Sequence, residues 1–283
     1  MNSTFWSNTM WFILLFVTSI ITVVLILYKT NNIKFSLAFL FSTIGFSFVL
    51  EAITVLGFNA YTYYPKIVPD LFLDAVFGNY FSQISVSSTA LWLATYNLSL
   101  IWNCIFAFIY FLIDVLFVRL GIYEHFWYRS IYTFFGFIIF SWLIKKWHDK
   151  AKNSTNWFIN YTSLYFSIAA ITTFTVFLSQ RLLGIQLLRG HLFADIAKDN
   201  TTTSFIYQFI VINFLIILYK LKLHWVVNTL VWAGLFIVQY LVYRAGYIYI
   251  HKGLFFIASS LDLIGCYCWI TVFNYLLSNP RSW

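Results

Sequence analysis

Long apolar runs alternate with short polar segments along this chain. The first run, MWFILLFVTSIITVVLILY, is apolar on every side, whereas strands of membrane barrels alternate apolar and polar residues over about 10 positions. Helices are therefore predicted, and a bilayer core of about 30 Å requires about 20 residues for each. The pattern predicts nine transmembrane helices, at residues 10–28, 35–58, 80–97, 99–118, 128–147, 157–180, 204–221, 224–243 and 253–277.

The third predicted helix, FSQISVSSTALWLATYNL, is the most polar of the nine. Lipid cannot satisfy its hydroxyl groups, so this helix spans the membrane only if its polar side faces protein. The first helix is expected to be retained rather than cleaved as a signal, because no Lys or Arg precedes it and no small-x-small site follows it.

Composition and charge indicate a lipid bilayer as the main partner. Hydrophobic residues make up 61% of the chain and charged residues 9%, with a mean hydropathy of +0.82, while soluble domains are typically about 25% charged. Basic residues are densest in IKKWHDKAK and YKLKLH, so the positive-inside rule places these loops in the cytoplasm, the N-terminus outside and the C-terminus inside. The net charge of +8 suits an anionic inner leaflet, and no basic groove indicates nucleic acid.

Residues that are uncommon in membrane helices recur at one spacing along the chain. Four pairs lie 125 positions apart: Gln83 and Gln208, Asn103 and Asn228, Arg119 and Arg244, Gly121 and Gly246. Upstream of them, the match of LFLD (71–74) with LFAD (192–195) indicates an offset of 121. The predicted fold is an all-α integral membrane protein with an N-terminal helix and loop (1–34) and two parallel four-helix repeats (35–150 and 151–283).

Three carboxylates fall inside predicted helices. Glu51, Asp114 and Asp262 would each cost about 2.5–3.5 kcal/mol in lipid, so they are expected to face a bundle interior or a water-filled cavity. Neutral polar residues share helix faces with them, and these either line the same polar centre or hold helices together. The candidates for a ligand or ion pathway are Glu51, Gln83, Asn103, Asp114, Asn228, Gln239 and Asp262.

The outer ends of the fourth and eighth helices supply further candidates. Their shared Arg-x-Gly is explained most simply by an arginine at the headgroups and a glycine that lets the chain leave the helix. An acid beside a histidine there is expected either to bind a cation or titrate near neutral pH, or to form an ordinary exposed loop pair. The residues concerned are Arg119, Glu124, His125, Arg244 and His251. Tyrosines of the first outer loop act either as a lid or as interfacial anchors, namely Tyr61, Tyr63, Tyr64 and Tyr80.

Several reaction classes have no candidate residues. No lysine lies in the middle of a predicted helix for a Schiff base, and no zinc-protease, nucleophile-elbow, Walker or dinucleotide motif occurs. No spacing of His, Cys or acidic residues indicates a metal site, and Cys104, Cys266 and Cys268 are expected to act as small hydrophobic residues. We therefore expect no metal and no cofactor, and the sequence favours a non-enzymatic protein.

The first 150 residues resemble a family of short, uncharacterised multipass membrane proteins of spore-forming Gram-positive bacteria with about five helices. The resemblance rests on Tyr64-Pro65 with Pro69, on the segment 121–124 that ends the fourth helix, and on Trp127 with Tyr132. It implies a bacterial cytoplasmic-membrane protein, and it implies no activity for any residue.

Three functions from different classes follow from these features. The first is binding or transport of a small polar solute, a cation or protons at the intramembrane polar centre. The second is a non-catalytic scaffold or sensor subunit, whose polar stripes dock helices or a membrane-protein partner. The third is an intramembrane enzyme acting on lipid, with Glu51 or Asp114 as acid or base.

Overall fold

The computed structural model describes residues 7–153, 156–178, 184–250 and 253–278. Nine α-helices lie in these ranges: α1 Thr9–Lys29, α2 Ile33–Glu51, α3 Leu71–Thr95, α4 Leu100–Arg119, α5 Ser130–Asn153, α6 Trp157–Val176, α7 Ile196–Leu221, α8 Trp225–Arg244 and α9 Phe255–Leu277. Each predicted span overlaps one of them, so the all-α class is confirmed. Among the described residues, six helices are long and apolar enough to cross a membrane, namely α1, α2 with its extension to Gly57, α4, α7, α8 and α9.

Side-chain caps and glycines determine several helix ends. Asp70 accepts a hydrogen bond from Leu73 N at 2.7 Å, which satisfies a free amide in the first turn of α3. Past the ends of α4 and α8, Gly121 has φ +66° and Gly246 has φ +83°. These left-handed values favour glycine and confirm the sequence interpretation of both residues as helix exits.

Two short β-ladders occur in loops where the sequence indicated no strands. β1 (Tyr61–Tyr63) pairs antiparallel with β2 (Tyr123–His125), so that Tyr61 lies opposite His125. β3 (Gln186–Leu188) pairs in the same way with β4 (Ile248–Ile250). Strands of three residues are too short to show the alternation by which longer strands are recognised in a sequence.

Contacts divide the chain into two compact units, Met1–Ser167 with Leu276–Trp283, and Ile168–Tyr275. We call them unit 1 and unit 2. In unit 1, α3 contacts α1, α2 and α5, and α4 contacts α5. The hydroxyl-rich side of α3 is buried there, which confirms that its polar side faces protein (Ser85, Ser87, Ser88 and Thr89). In unit 2, β3 contacts α7 and β4 contacts α8.

Equivalent cap residues in the two units are separated by the same number of positions as equivalent helices. Asp70 caps α3, and Asp195 caps α7 by accepting from Lys198 N at 2.8 Å. These aspartates are 125 positions apart, as are the first residues of α4 and α8. The upstream offset of 121 is therefore wrong, because it would pair Asp195 with Asp74, whose carboxylate binds loop amides instead of capping the helix.

An aromatic cluster holds the β1–β2 ladder against the helices of unit 1. Tyr63 and Tyr123 stack with ring centroids 4.4 Å apart and an interplanar angle of 10°. Phe12 of α1 meets Tyr63 edge-on at 6.0 Å. Gly78 of α3 permits this approach, since a Cβ added there would lie 2.5 Å from the Cβ of Tyr63. The ladder is thereby fixed against α3.

Candidate functional site

Unit 1 contains a cavity of about 230 Å³. Side chains from α1 to α5 and from both strands of the β1–β2 ladder line it. Three of the residues predicted from the sequence as ligand or ion-pathway candidates are among them, namely Glu51, Gln83 and Asp114. Eight of the other 17 lining residues are aromatic. The cavity therefore joins the predicted polar centre to an aromatic surface.

Glu51 lies at the last residue of α2, where the helix passes into a π-helical turn, Ala52–Gly57. Such turns are frequent at functional sites. Tyr61 donates its hydroxyl hydrogen to Glu51 Oε2 at 2.5 Å, and Gln83 Nε2 donates to the same oxygen at 2.8 Å. Ser47, one helical turn before Glu51, donates to Gln83 Oε1 and so orients the amide.

The second oxygen of Glu51 has no such partner. Oε1 is buried and makes no hydrogen bond within the described part of the chain, although the residue is only 8% exposed. Buried polar atoms of folded proteins are nearly always hydrogen-bonded. Glu51 therefore lines the cavity with one anchored oxygen and one buried oxygen that has no hydrogen-bond partner among the described residues.

Three buried phenols of the ladder stay in their neutral form. Burial raises the pKa of Tyr61, Tyr63 and Tyr123 well above the ordinary value, since the phenolate would lose its hydration. The charge of Glu51 raises the pKa of Tyr61 further. At neutral pH the hydroxyl of Tyr61 is therefore a hydrogen-bond donor, as its contact with the Glu51 carboxylate requires.

Asp114 forms a second polar group in the cavity wall. Thr133 of α5 donates to Asp114 Oδ2 at 2.6 Å, and the hydroxyl of Tyr128 lies 3.1 Å from that of Thr133. His125 Nε2 lies 3.4 Å from Asp114 Oδ1, and neither atom makes a hydrogen bond within the described residues. The two side chains form an ion pair when the imidazole is protonated.

The two neighbouring candidates Glu124 and His125 lie on opposite faces of β2, as successive strand residues do. The side chain of His125 is only 13% exposed and meets Tyr123 edge-on at 4.5 Å. Glu124 is exposed and accepts a hydrogen bond from the Tyr64 hydroxyl at 2.6 Å. They therefore do not act together on one ligand.

The remaining described candidates are not among the residues that line the cavity. Asn103 is buried on α4 but does not line it. In unit 2, Gln239 is buried and bonds to the hydroxyl of Tyr207, while Asp262 accepts from Gln186 Nε2 at 3.2 Å. Asn228 is half-buried, Arg119 and Arg244 are exposed at helix ends, and His251 lies outside the described residues.

Sequence reasoning did not assign several cavity residues to the site. Tyr61 and Tyr63 were predicted as lid or anchor residues, whereas both are buried in the cavity wall. The sequence does not indicate Tyr128 or Thr133 as site residues, because neither lies on a helix face that carries several polar residues. Within the described ranges, no group of three or more His, Cys, Asp or Glu residues is placed to hold a metal ion.

The chain matches no protein-family model, no curated protein and no solved structure.

Proposed function

We propose that this protein is a multipass membrane protein that binds a small polar solute, a cation or protons in the cavity of unit 1, and moves it across the membrane. One observation carries the proposal: the buried carboxylate of Glu51 lines a cavity of about 230 Å³ and has one oxygen without a hydrogen-bond partner among the described residues. A carboxylate in a membrane-spanning helix is costly and normally marks a substrate or ion pathway.

The hydrogen bonds around Glu51 support binding over a purely structural role. If the side chain served only to join helices, both oxygens would be expected to accept hydrogen bonds, because an unsatisfied buried acceptor costs about 1–3 kcal/mol. Among the described residues, only Oε2 does so, with donors from β1 and α3. The arrangement holds the carboxylate in place and leaves its other oxygen for a ligand.

The proposal includes the membrane architecture expected from the sequence: nine spans, an outer N-terminus, an inner C-terminus and a bacterial cytoplasmic membrane. We also propose that one leading helix precedes two copies of a four-helix unit. Asp74 and Asp199 support duplication, because each accepts hydrogen bonds from three consecutive loop amides, and the two amide sets are 125 positions apart. The aligned bounds of α4 and α8 support it as well.

Thiol labelling tests whether the cavity admits water. Single cysteines would replace Ser47 and Ser82, which both line the cavity, in a protein whose three native cysteines are serine. Ser88→Cys is the matched control, since Ser88 lies on the same helix as Ser82, is fully buried and does not line the cavity. Membrane-impermeant maleimide would be applied to right-side-out and inverted vesicles.

We expect labelling at positions 47 and 82 and none at position 88. If all three positions stay unlabelled in folded protein, the cavity is sealed and the scaffold or sensor hypothesis is favoured. Labelling from both sides, followed by flux of a solute or of protons in proteoliposomes, would distinguish transport from binding alone.

A further inference from the structure

We propose that the ligand of this cavity is a small organic cation with an ammonium group, bound by Glu51 Oε1 and by the faces of the surrounding tyrosines. This inference rests on the solute-binding function proposed above and names the chemical class of the solute. Charge, wall composition and volume each support it.

The first argument is charge. Among the described residues, Asp114 is 3.4 Å from His125, while none of the ion pairs includes Glu51. Its anchored oxygen accepts from a phenol and an amide, which are neutral groups. A buried carboxylate without a basic partner is stable only if it takes up a proton or a cation. A cation bound at Oε1 supplies the charge that the protein does not.

The second argument is the aromatic composition of the cavity wall. Tyrosine rings from both strands, from α4 and from the loop before α5 line the cavity: Tyr61, Tyr63, Tyr110, Tyr123 and Tyr128. Aromatic faces attract cations, and cages of such rings are the usual recognition device for methylated ammonium groups. Since Tyr61 and Tyr123 are neutral phenols at neutral pH, they bring no competing charge to the cavity wall.

The third argument separates an organic cation from a metal ion. A cavity of about 230 Å³ is far larger than a dehydrated metal ion. Calcium takes about 6–8 oxygen ligands, and the described residues contain no cluster of three or more His, Cys, Asp or Glu side chains. The free oxygen of Glu51 within a wall rich in aromatic rings suits an ammonium group, which combines one charge with apolar substituents.

Calorimetric titration of the full chain in lipid nanodiscs tests the ligand class. The probes are tetramethylammonium, choline and n-butylammonium, with sodium and potassium as inorganic cations. The neutral control is 3,3-dimethylbutan-1-ol, which has the shape of choline but a carbon in place of the charged nitrogen. We expect at least one of the three ammonium probes to bind, while the neutral alcohol and the inorganic ions do not compete.

Matched variants locate the binding. Glu51→Gln preserves an acceptor for Tyr61 and Gln83 but removes the charge, so affinity should fall by about thirtyfold or more. Glu124→Gln removes an exposed carboxylate outside the cavity and should leave affinity unchanged. Tyr128→Phe retains the aromatic face and should bind within about threefold of the native protein, whereas Tyr128→Leu should weaken binding by about tenfold. Native-like thermal unfolding would show that each variant is folded.

The outcomes separate this inference from the proposed function. Equal binding of choline and the neutral alcohol, or unchanged affinity in Glu51→Gln, would overturn the organic-cation class and leave a neutral solute in the cavity. If position 82 is labelled by maleimide but none of the ammonium probes binds, the proposed ligand class is wrong. The labelling would still support a cavity that water enters. If position 82 is unlabelled and nothing binds, both proposals fail.

Discussion

The contact between Tyr61 and Glu51 gives a quantitative test of the site. Tyr61→Phe removes a hydroxyl that donates to a buried carboxylate at 2.5 Å and leaves the ring in place. Hydrogen bonds to charged groups contribute about 1.5–3 kcal/mol, so the free energy of unfolding should fall by about 2 kcal/mol. Tyr63→Phe is the control: Tyr63 is equally buried on the same strand, but its hydroxyl lies 3.3 Å from that of Ser82, a neutral partner. We expect it to cost about 0.5–1 kcal/mol.

Unfolding by sodium dodecyl sulfate in mixed micelles, followed by circular dichroism, would measure both losses. A double-mutant cycle then isolates the contact: Tyr61→Phe combined with Glu51→Gln should show a coupling energy of about 1 kcal/mol or more. Equal losses for the two tyrosine variants, or a coupling below about 0.3 kcal/mol, would refute a charged hydrogen bond at Oε2.

Three further predictions concern the surroundings of the site. Gly78→Ala should lower the free energy of unfolding by about 1–3 kcal/mol in the same micelle titration, because the new Cβ would lie 2.5 Å from that of Tyr63. Asp74→Asn should cost about 2–3 kcal/mol, measured in the same way, because its carboxylate accepts from three loop amides at 2.7–3.2 Å. The Tyr64 hydroxyl donates to Glu124, which raises the pKa of Tyr64 to about 12; Glu124→Gln should lower this pKa toward about 10 in a tyrosinate absorbance titration.

Each of these predictions has a clear contrary result. Native stability of Gly78→Ala would mean that β1 does not approach α3 as closely as the structure shows. Native stability of Asp74→Asn would mean that the loop amides do not depend on the carboxylate. For Tyr64, subtraction of the titration of Tyr64→Phe isolates its signal from the buried phenols, and an unchanged pKa in Glu124→Gln would contradict the hydrogen bond to that carboxylate.

Helices and the direction that their polar side chains face could be predicted from the sequence. Both depend on helical periodicity and on the lipid around the chain. An apolar run of about 20 residues forms a helix in lipid because only intrahelical bonds satisfy its backbone. The cost of a carboxylate in lipid likewise predicts that Glu51 and Asp114 face inward, and both are buried at the cavity. The polar side of α3 and the exit at Gly121 follow from equally local rules.

The composition of the site depends on contacts between residues far apart in the chain. Tyr61 and His125 meet through a ladder of three residues per strand, which is too short for a periodic signal. This pairing brings tyrosines and a histidine from two separate loops to the buried carboxylates, and α5 brings Thr133 to Asp114. Local sequence rules determine which face of a helix is polar, but only packing determines which distant side chain meets that face, and how much space is left between them.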